Sequence, residues 1–136
     1  MEQKTVLVVE NHTDLQAAYT AIFSYDKYTI DIAATREEAL KKLKHNEWDI
    51  VMFDMLYRGG INGIDLMETY KSDPTAASAK KHPVFIAIVD DEDQMDKIRE
   101  LADEVFIMGE FTPGELLEKI QECLQKHREH QSAPAA

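Results

Sequence analysis

The chain has 136 residues, the length of one domain able to bury a core. Hydrophobic residues make up 44% and charged residues 30%, which excludes a disordered chain, and no apolar run is long enough for a transmembrane helix. The net charge of −11 argues against gripping nucleic acid or anionic lipid, and the single cysteine, Cys123, excludes an intrachain disulfide. Met1 is followed by Glu2, Gln3 and Lys4, not by a charged-then-apolar leader, so a cytoplasmic protein is expected.

Five strand candidates alternate with five helix candidates. Thr5–Val9 is the first strand, and Leu15, Ala18, Tyr19, Ile22 and Phe23 then mark one face of a helix. Tyr28, Ile30 and Ile32 alternate with Thr29 and Asp31 as a half-exposed strand. Thr35-Arg36-Glu37-Glu38 is a capping box opening a helix that buries Ala39, Leu40 and Leu43. Ile50–Phe53 is a solidly apolar strand, followed by a glycine-bearing loop and a third helix on Ile64, Met67 and Tyr70. Val84–Val89 is the fourth strand, Met95, Ile98 and Leu101 give the fourth helix, and Val105–Met108 a short fifth strand. Thr112-Pro113-Gly114-Glu115 caps a last helix lined by Leu116, Leu117, Ile120, Cys123 and Leu124. Residues 1–129 form the domain, and the small, polar stretch 130–136 reads as a disordered end or the start of a linker.

Strict alternation of strand and helix predicts an α/β domain, a parallel sheet covered on both faces. Strands one, three and four are nearly all apolar, as doubly covered central strands are. Strand two alternates and strand five is short, which places them at the edges. The order 2-1-3-4-5 with right-handed crossovers satisfies both conditions and is the flavodoxin-like doubly wound (βα)5 arrangement. In such sheets the site lies beyond the carboxyl ends of the strands. Glu10, Asn11 and His12 follow strand one, Asp54 ends strand three, Asp90 and Asp91 follow strand four, and Gly109 and Glu110 follow strand five. A flavin phosphate needs a loop rich in Ser, Thr or Gly after strand one; Glu10-Asn11-His12-Thr13-Asp14 offers two acids, so a flavin-type cofactor is not expected.

Val6-Leu7-Val8-Val9-Glu10-Asn11, Trp48 to Asp54, Asn62-Gly63, Pro83 to Ile86 and Phe111-Thr112-Pro113, in this order and spacing, resemble the receiver domain of response regulators in two-component signalling. The resemblance spans about residues 4–128. It implies that Asp54 is the candidate phosphoacceptor for a histidine kinase in a phosphorelay. It also implies two acids after strand one that hold Mg²⁺, a Ser or Thr hydroxyl after strand four and a lysine after strand five. Phosphoryl transfer is mostly positioning and charge neutralisation, which explains the metal, the cation and the donors.

This sequence keeps Asp54 and departs elsewhere. Asn11 replaces a metal-ligating carboxylate, leaving Glu10 and Asp54 as at most a weak Mg²⁺ site. The hydroxyl position falls on Ile88, and residues 83–95 contain no Ser or Thr. The lysine position falls on Gly109, and no lysine lies between Lys97 and Lys119. Arg58 stands near the usual proline of a loop that is one residue longer than the common pattern. An atypical receiver is therefore expected, a phosphorylation-independent interaction module and not an enzyme, with a histidine kinase or a downstream effector as its protein partner. The alternative is a working phosphoacceptor phosphorylated on Asp54. The aromatic switch position falls on Phe106. Because Ile88 is stiff and fills space, Phe106 is expected to stay outward, near the surface. The bland readings are a solvated Glu10 at the cleft rim, an exposed Arg58, surface histidines and a Cys123 that packs in the core.

Overall fold

Runs rich in Val and Ile form the five strands β1 (Thr5–Val9), β2 (Thr29–Ala33), β3 (Ile50–Asp54), β4 (Val84–Val89) and β5 (Glu104–Ile107). The computed structural model describes residues 4–25, 28–54, 63–73, 82–89, 95–107, 109 and 112–132. Within them the helices are α1 (Thr13–Tyr25), α2 (Arg36–His45), α3 (Gly63–Lys71), α4 (Met95–Leu101) and α5 (Pro113–Ser132). All strand pairs are parallel and the sheet order is β2-β1-β3-β4-β5, the expected flavodoxin-like order. No helix among the described residues is long and apolar enough to cross a membrane.

Side chains alternate across the sheet because the strand period is two. Val6, Val8, Ile50, Met52, Ile86, Ile88 and Phe106 share one cluster with Tyr19 and Phe23 of α1 and with Leu116, Ile120 and Leu124 of α5. On the other face Leu7, Val9, Val51, Phe53 and Phe85 pack against Ala39 and Leu43 of α2 and Leu66 and Met67 of α3. Ala87 and Val89 meet Ile98 of α4. β4 is apolar along its length, and β3 up to its last residue, Asp54, because both faces are covered. β2, with Thr29 and Asp31 exposed, is the edge its alternation predicts.

Short polar contacts fix the ends of the elements. Thr35 Oγ1 accepts the Glu38 N–H at 3.1 Å and caps α2. At α5 the box is reciprocal, the Thr112 N–H donating to Glu115 Oε1 at 3.0 Å and the Glu115 N–H to Thr112 Oγ1 at 3.2 Å. At the amino edge of the sheet, Asp49 Oδ2 accepts the Thr5 N–H at 2.8 Å and Asp103 Oδ2 accepts the Phe85 N–H at 2.8 Å. These two acids tie β1 to β3 and β4 to β5 at the edge opposite the site. α5 runs to Ser132, so His130–Ser132, which the sequence assigns to the tail, continue the helix; residues 133–136 of that tail lie outside the described residues.

Candidate functional site

β1 and β3 are neighbours, so their carboxyl ends bring Glu10 and Asp54 together. The Glu10 N–H donates to the Ala33 carbonyl at 3.0 Å, which extends the β1–β2 ladder one residue past the strand. Gln16 Nε2, from the first turns of α1, donates to the Glu10 carbonyl at 2.6 Å. The backbone is thereby held from both sides and the side chain is turned inward. Glu10 is only 4% exposed, not the solvated rim acid expected from sequence.

Its Oε1 accepts the His12 N–H at 2.8 Å, and its carboxyl group is hydrogen-bonded to that of Asp54. Two carboxyl groups side by side disfavour each other's ionisation. Burial pushes the Glu10 carboxyl above the usual carboxylate range, and the charge of Asp54 pushes it the same way, while the bond from the His12 N–H opposes both.

The Asp54 carboxylate also accepts a hydroxyl from α1. The hydroxyl of Tyr19, a residue 3% exposed on α1, donates to Asp54 Oδ2. Helical side chains lean toward the helix N-terminus, and α1 begins at the carboxyl edge of the sheet, so a long side chain in its second turn points at the site. Sequence reasoning assigned Tyr19 only to the apolar face of the helix. The signal was present: a buried tyrosine needs a partner for its O–H, and this helix overlies the acid-bearing edge.

The remaining site residues fall where their strands put them. Ile88 is the β4 register partner of Asp54 and is fully buried. Asn11 is exposed. Gly109 is exposed just past β5, with φ +92°, a backbone that L side chains rarely adopt. His12 is half-buried and its carbonyl accepts the Gln16 N–H, which makes it the first residue of the α1 turn. Cys123 is half-buried against the core, its thiol 3.6 Å from Glu104 Oε2. Arg58, Asp90, Asp91 and Glu110 lie outside the described residues.

The outward placement expected of Phe106 is incorrect. Phe106 is 7% exposed and belongs to the cluster of Ile88, Leu116 and Ile120, with Lys119 Nζ 5.7 Å from its ring centroid. The reason is register. Ile88 and Phe106 are paired across β4 and β5 and stand side by side on one face. They are neighbours in one layer and do not compete for the same volume.

A divalent cation is a poor match to this donor set. One acid is buried against the other, one Asp54 oxygen already accepts a hydroxyl, and the third expected carboxylate is an exposed amide. Among the described residues no group of three or more His, Cys, Asp or Glu side chains converges as a metal-ligand set.

The sequence pattern of the response regulator receiver domain matches residues 6–121. No curated protein is matched by the chain. Among solved structures, a CheY-like response regulator receiver domain protein from Methanospirillum hungatei superposes with a TM-score of 0.75 at 23% identity, covering 95% of this chain and 99% of that one. The chemotaxis response regulator CheY4 of Vibrio cholerae gives a TM-score of 0.74 at 15% identity, with coverages of 90% and 99%. The receiver domain of the sensor histidine kinase PA1611 from Pseudomonas aeruginosa, solved with magnesium in its active-site cleft, gives 0.73 at 14% identity, with coverages of 91% and 99%.

Proposed function

Since the chain belongs to the response regulator receiver family of two-component signalling, we propose that it acts there as a phosphorylation-independent interaction module, binding a signalling protein in the cytoplasm without catalysing a reaction. One observation carries this reading: the candidate phosphoacceptor, Asp54, already accepts the Tyr19 hydroxyl and lies beside the buried Glu10 carboxyl, at the place where the family's chemistry needs cations.

A phosphoryl group brings about two negative charges, and a site accepts it only if positive charge and donors are aimed at its oxygens. Here the hydroxyl position is a buried isoleucine, Ile88, and the lysine position is Gly109. A phosphate on Asp54 would face the Glu10 carboxyl in place of a metal ion. The receiver of the Pseudomonas kinase holds magnesium in its active-site cleft; the Glu10–Asn11–Asp54 set does not favour it in this chain.

The test is direct. The protein is incubated with Mg²⁺ and acetyl phosphate and its intact mass is measured. No species one phosphoryl group heavier is expected. A substantial population of that species, lost on replacing Asp54 by asparagine, would establish the working-phosphoacceptor alternative instead.

A further inference from the structure

Tyr19 has two parts with two environments. Its ring packs in the α1–sheet–α5 cluster, and its hydroxyl leaves that cluster to reach Asp54 Oδ2 at the carboxyl edge. The ring alone would satisfy the core; a phenylalanine would fill the same space. The hydroxyl therefore serves the site. It is neutral and fixed to a helix of 13 residues, and its bond to Asp54 closes a path across 35 positions of sequence.

We propose that Tyr19 is a latch on Asp54: its hydroxyl occupies one of the two carboxylate oxygens through which Asp54 would hold a divalent cation, and this contact, together with the amide at Asn11, weakens the cleft's hold on metal. The inference rests on the reading of the site as phosphorylation-independent and names the residue that enforces it. A cation at Asp54 Oδ2 would compete with the Tyr19 hydroxyl, and displacing that hydroxyl, in a residue 3% exposed, would cost its hydrogen bond. Asn11 is exposed and lost only a charge. The two obstacles are different in kind and separable by mutation.

Mn²⁺ serves as the probe, through paramagnetic broadening of the amide signals of Glu10 and Asp54 in the full chain. Wild type, Tyr19→Phe, Asn11→Asp and the double variant are titrated. Tyr19→Phe removes one oxygen and keeps the ring. It is expected to bind Mn²⁺ about tenfold more tightly or better, the effect of losing one hydrogen bond to a charged group. The double variant is expected to gain more than either single one. Equal affinity of wild type and Tyr19→Phe overturns the latch. So does a gain confined to Asn11→Asp, which would make charge the only obstacle. Tyr19→Leu is carried as a second variant, and failure of both to fold also overturns the proposal, because the hydroxyl would then be a structural requirement. The acetyl phosphate experiment on wild type separates the two claims. Phosphorylated wild type removes the reading of the site; inert wild type with an unimproved Tyr19→Phe removes only the latch.

Discussion

Rebuilding the family's residues in this site carries a cost that the structure allows to be worked out position by position. The variants are Asn11→Asp, Ile88→Thr and Gly109→Lys. Asn11 is exposed, and its replacement should stay within about 0.5 kcal/mol of neutral. Ile88 is fully buried beside Phe106, Leu116 and Ile120. Shortening it costs about 0.5–1.5 kcal/mol for the lost packing, and burying a hydroxyl adds about 1–3 kcal/mol less whatever bond it gains. A net loss of about 2–3 kcal/mol is expected. At Gly109 a Cβ would meet open space, so the lysine is penalised only by the backbone at φ +92°, about 1–2 kcal/mol. Together the three changes should remove about 3–5 kcal/mol, a large share of the ~5–15 kcal/mol that holds a domain of this size. Urea denaturation at 25 °C followed by Trp48, the single tryptophan and a buried one, measures each step. Saturating Mg²⁺ at about a hundred times its Kd should then return about 2.7 kcal/mol to the triple variant and nothing to wild type. If Ile88→Thr costs less than about 0.5 kcal/mol, Ile88 is not held by packing, and the account of this position is wrong. If Gly109→Lys is neutral, the left-handed backbone at Gly109 is not a constraint.

Two further outcomes can be measured on the same protein. Glu10→Gln keeps the neutral state that burial favours; since the folded-state Glu10 carboxyl titrates above 4.5, its stabilising effect is present below that pH and lost as pH rises through the folded value. The variant should therefore gain stability over wild type between pH 4.5 and 7, and a difference independent of pH in urea midpoints would refute the buried-acid assignment. Cys123, whose thiol is pushed up to about 12 by burial and by the charge of Glu104, should hold roughly one thiolate in 10⁴ at pH 8 and react with iodoacetamide at least about a hundredfold more slowly than a free thiol. Alkylation at the rate of an exposed cysteine would contradict its packing against the core.

The parts of the fold that rest on periodicity were open to sequence reasoning. β1 and β4 fall on the expected residues because each is a bounded run of apolar residues, and both capping boxes form as their Thr-to-Glu spacing requires. Edge and centre follow from burial, so the alternating β2 and the short β5 lie outermost. Side-chain placement across strands is another matter. From sequence, an Ile88 that fills space implies an outward Phe106, whereas register pairs the two residues in one layer. Which of two adjacent residues yields depends on three-dimensional neighbours, here Leu116 and Ile120 of α5, and no local pattern encodes them. Tyr19 was missed for a related reason. A hydrophobic period treats tyrosine as apolar and says nothing of where its hydroxyl ends.

A receiver switches when phosphorylation stabilises one of its conformations more than another, and an input can shift an equilibrium only by that difference. On the reading proposed for this chain the input lacks its handles. The buried side chain next to Asp54 on β4 is aliphatic, so a phosphate has no group there to draw inward. The aromatic on β5 already lies in the core beside it. One oxygen of Asp54 already accepts the Tyr19 hydroxyl. None of these features depends on a ligand. On that reading the domain offers a partner one unchanging surface. Association with a partner would be governed by the amounts of the two proteins and their affinity, not by the phosphorylation state of Asp54. A partner affinity unchanged by Asp54→Asn is the signature that this arrangement requires.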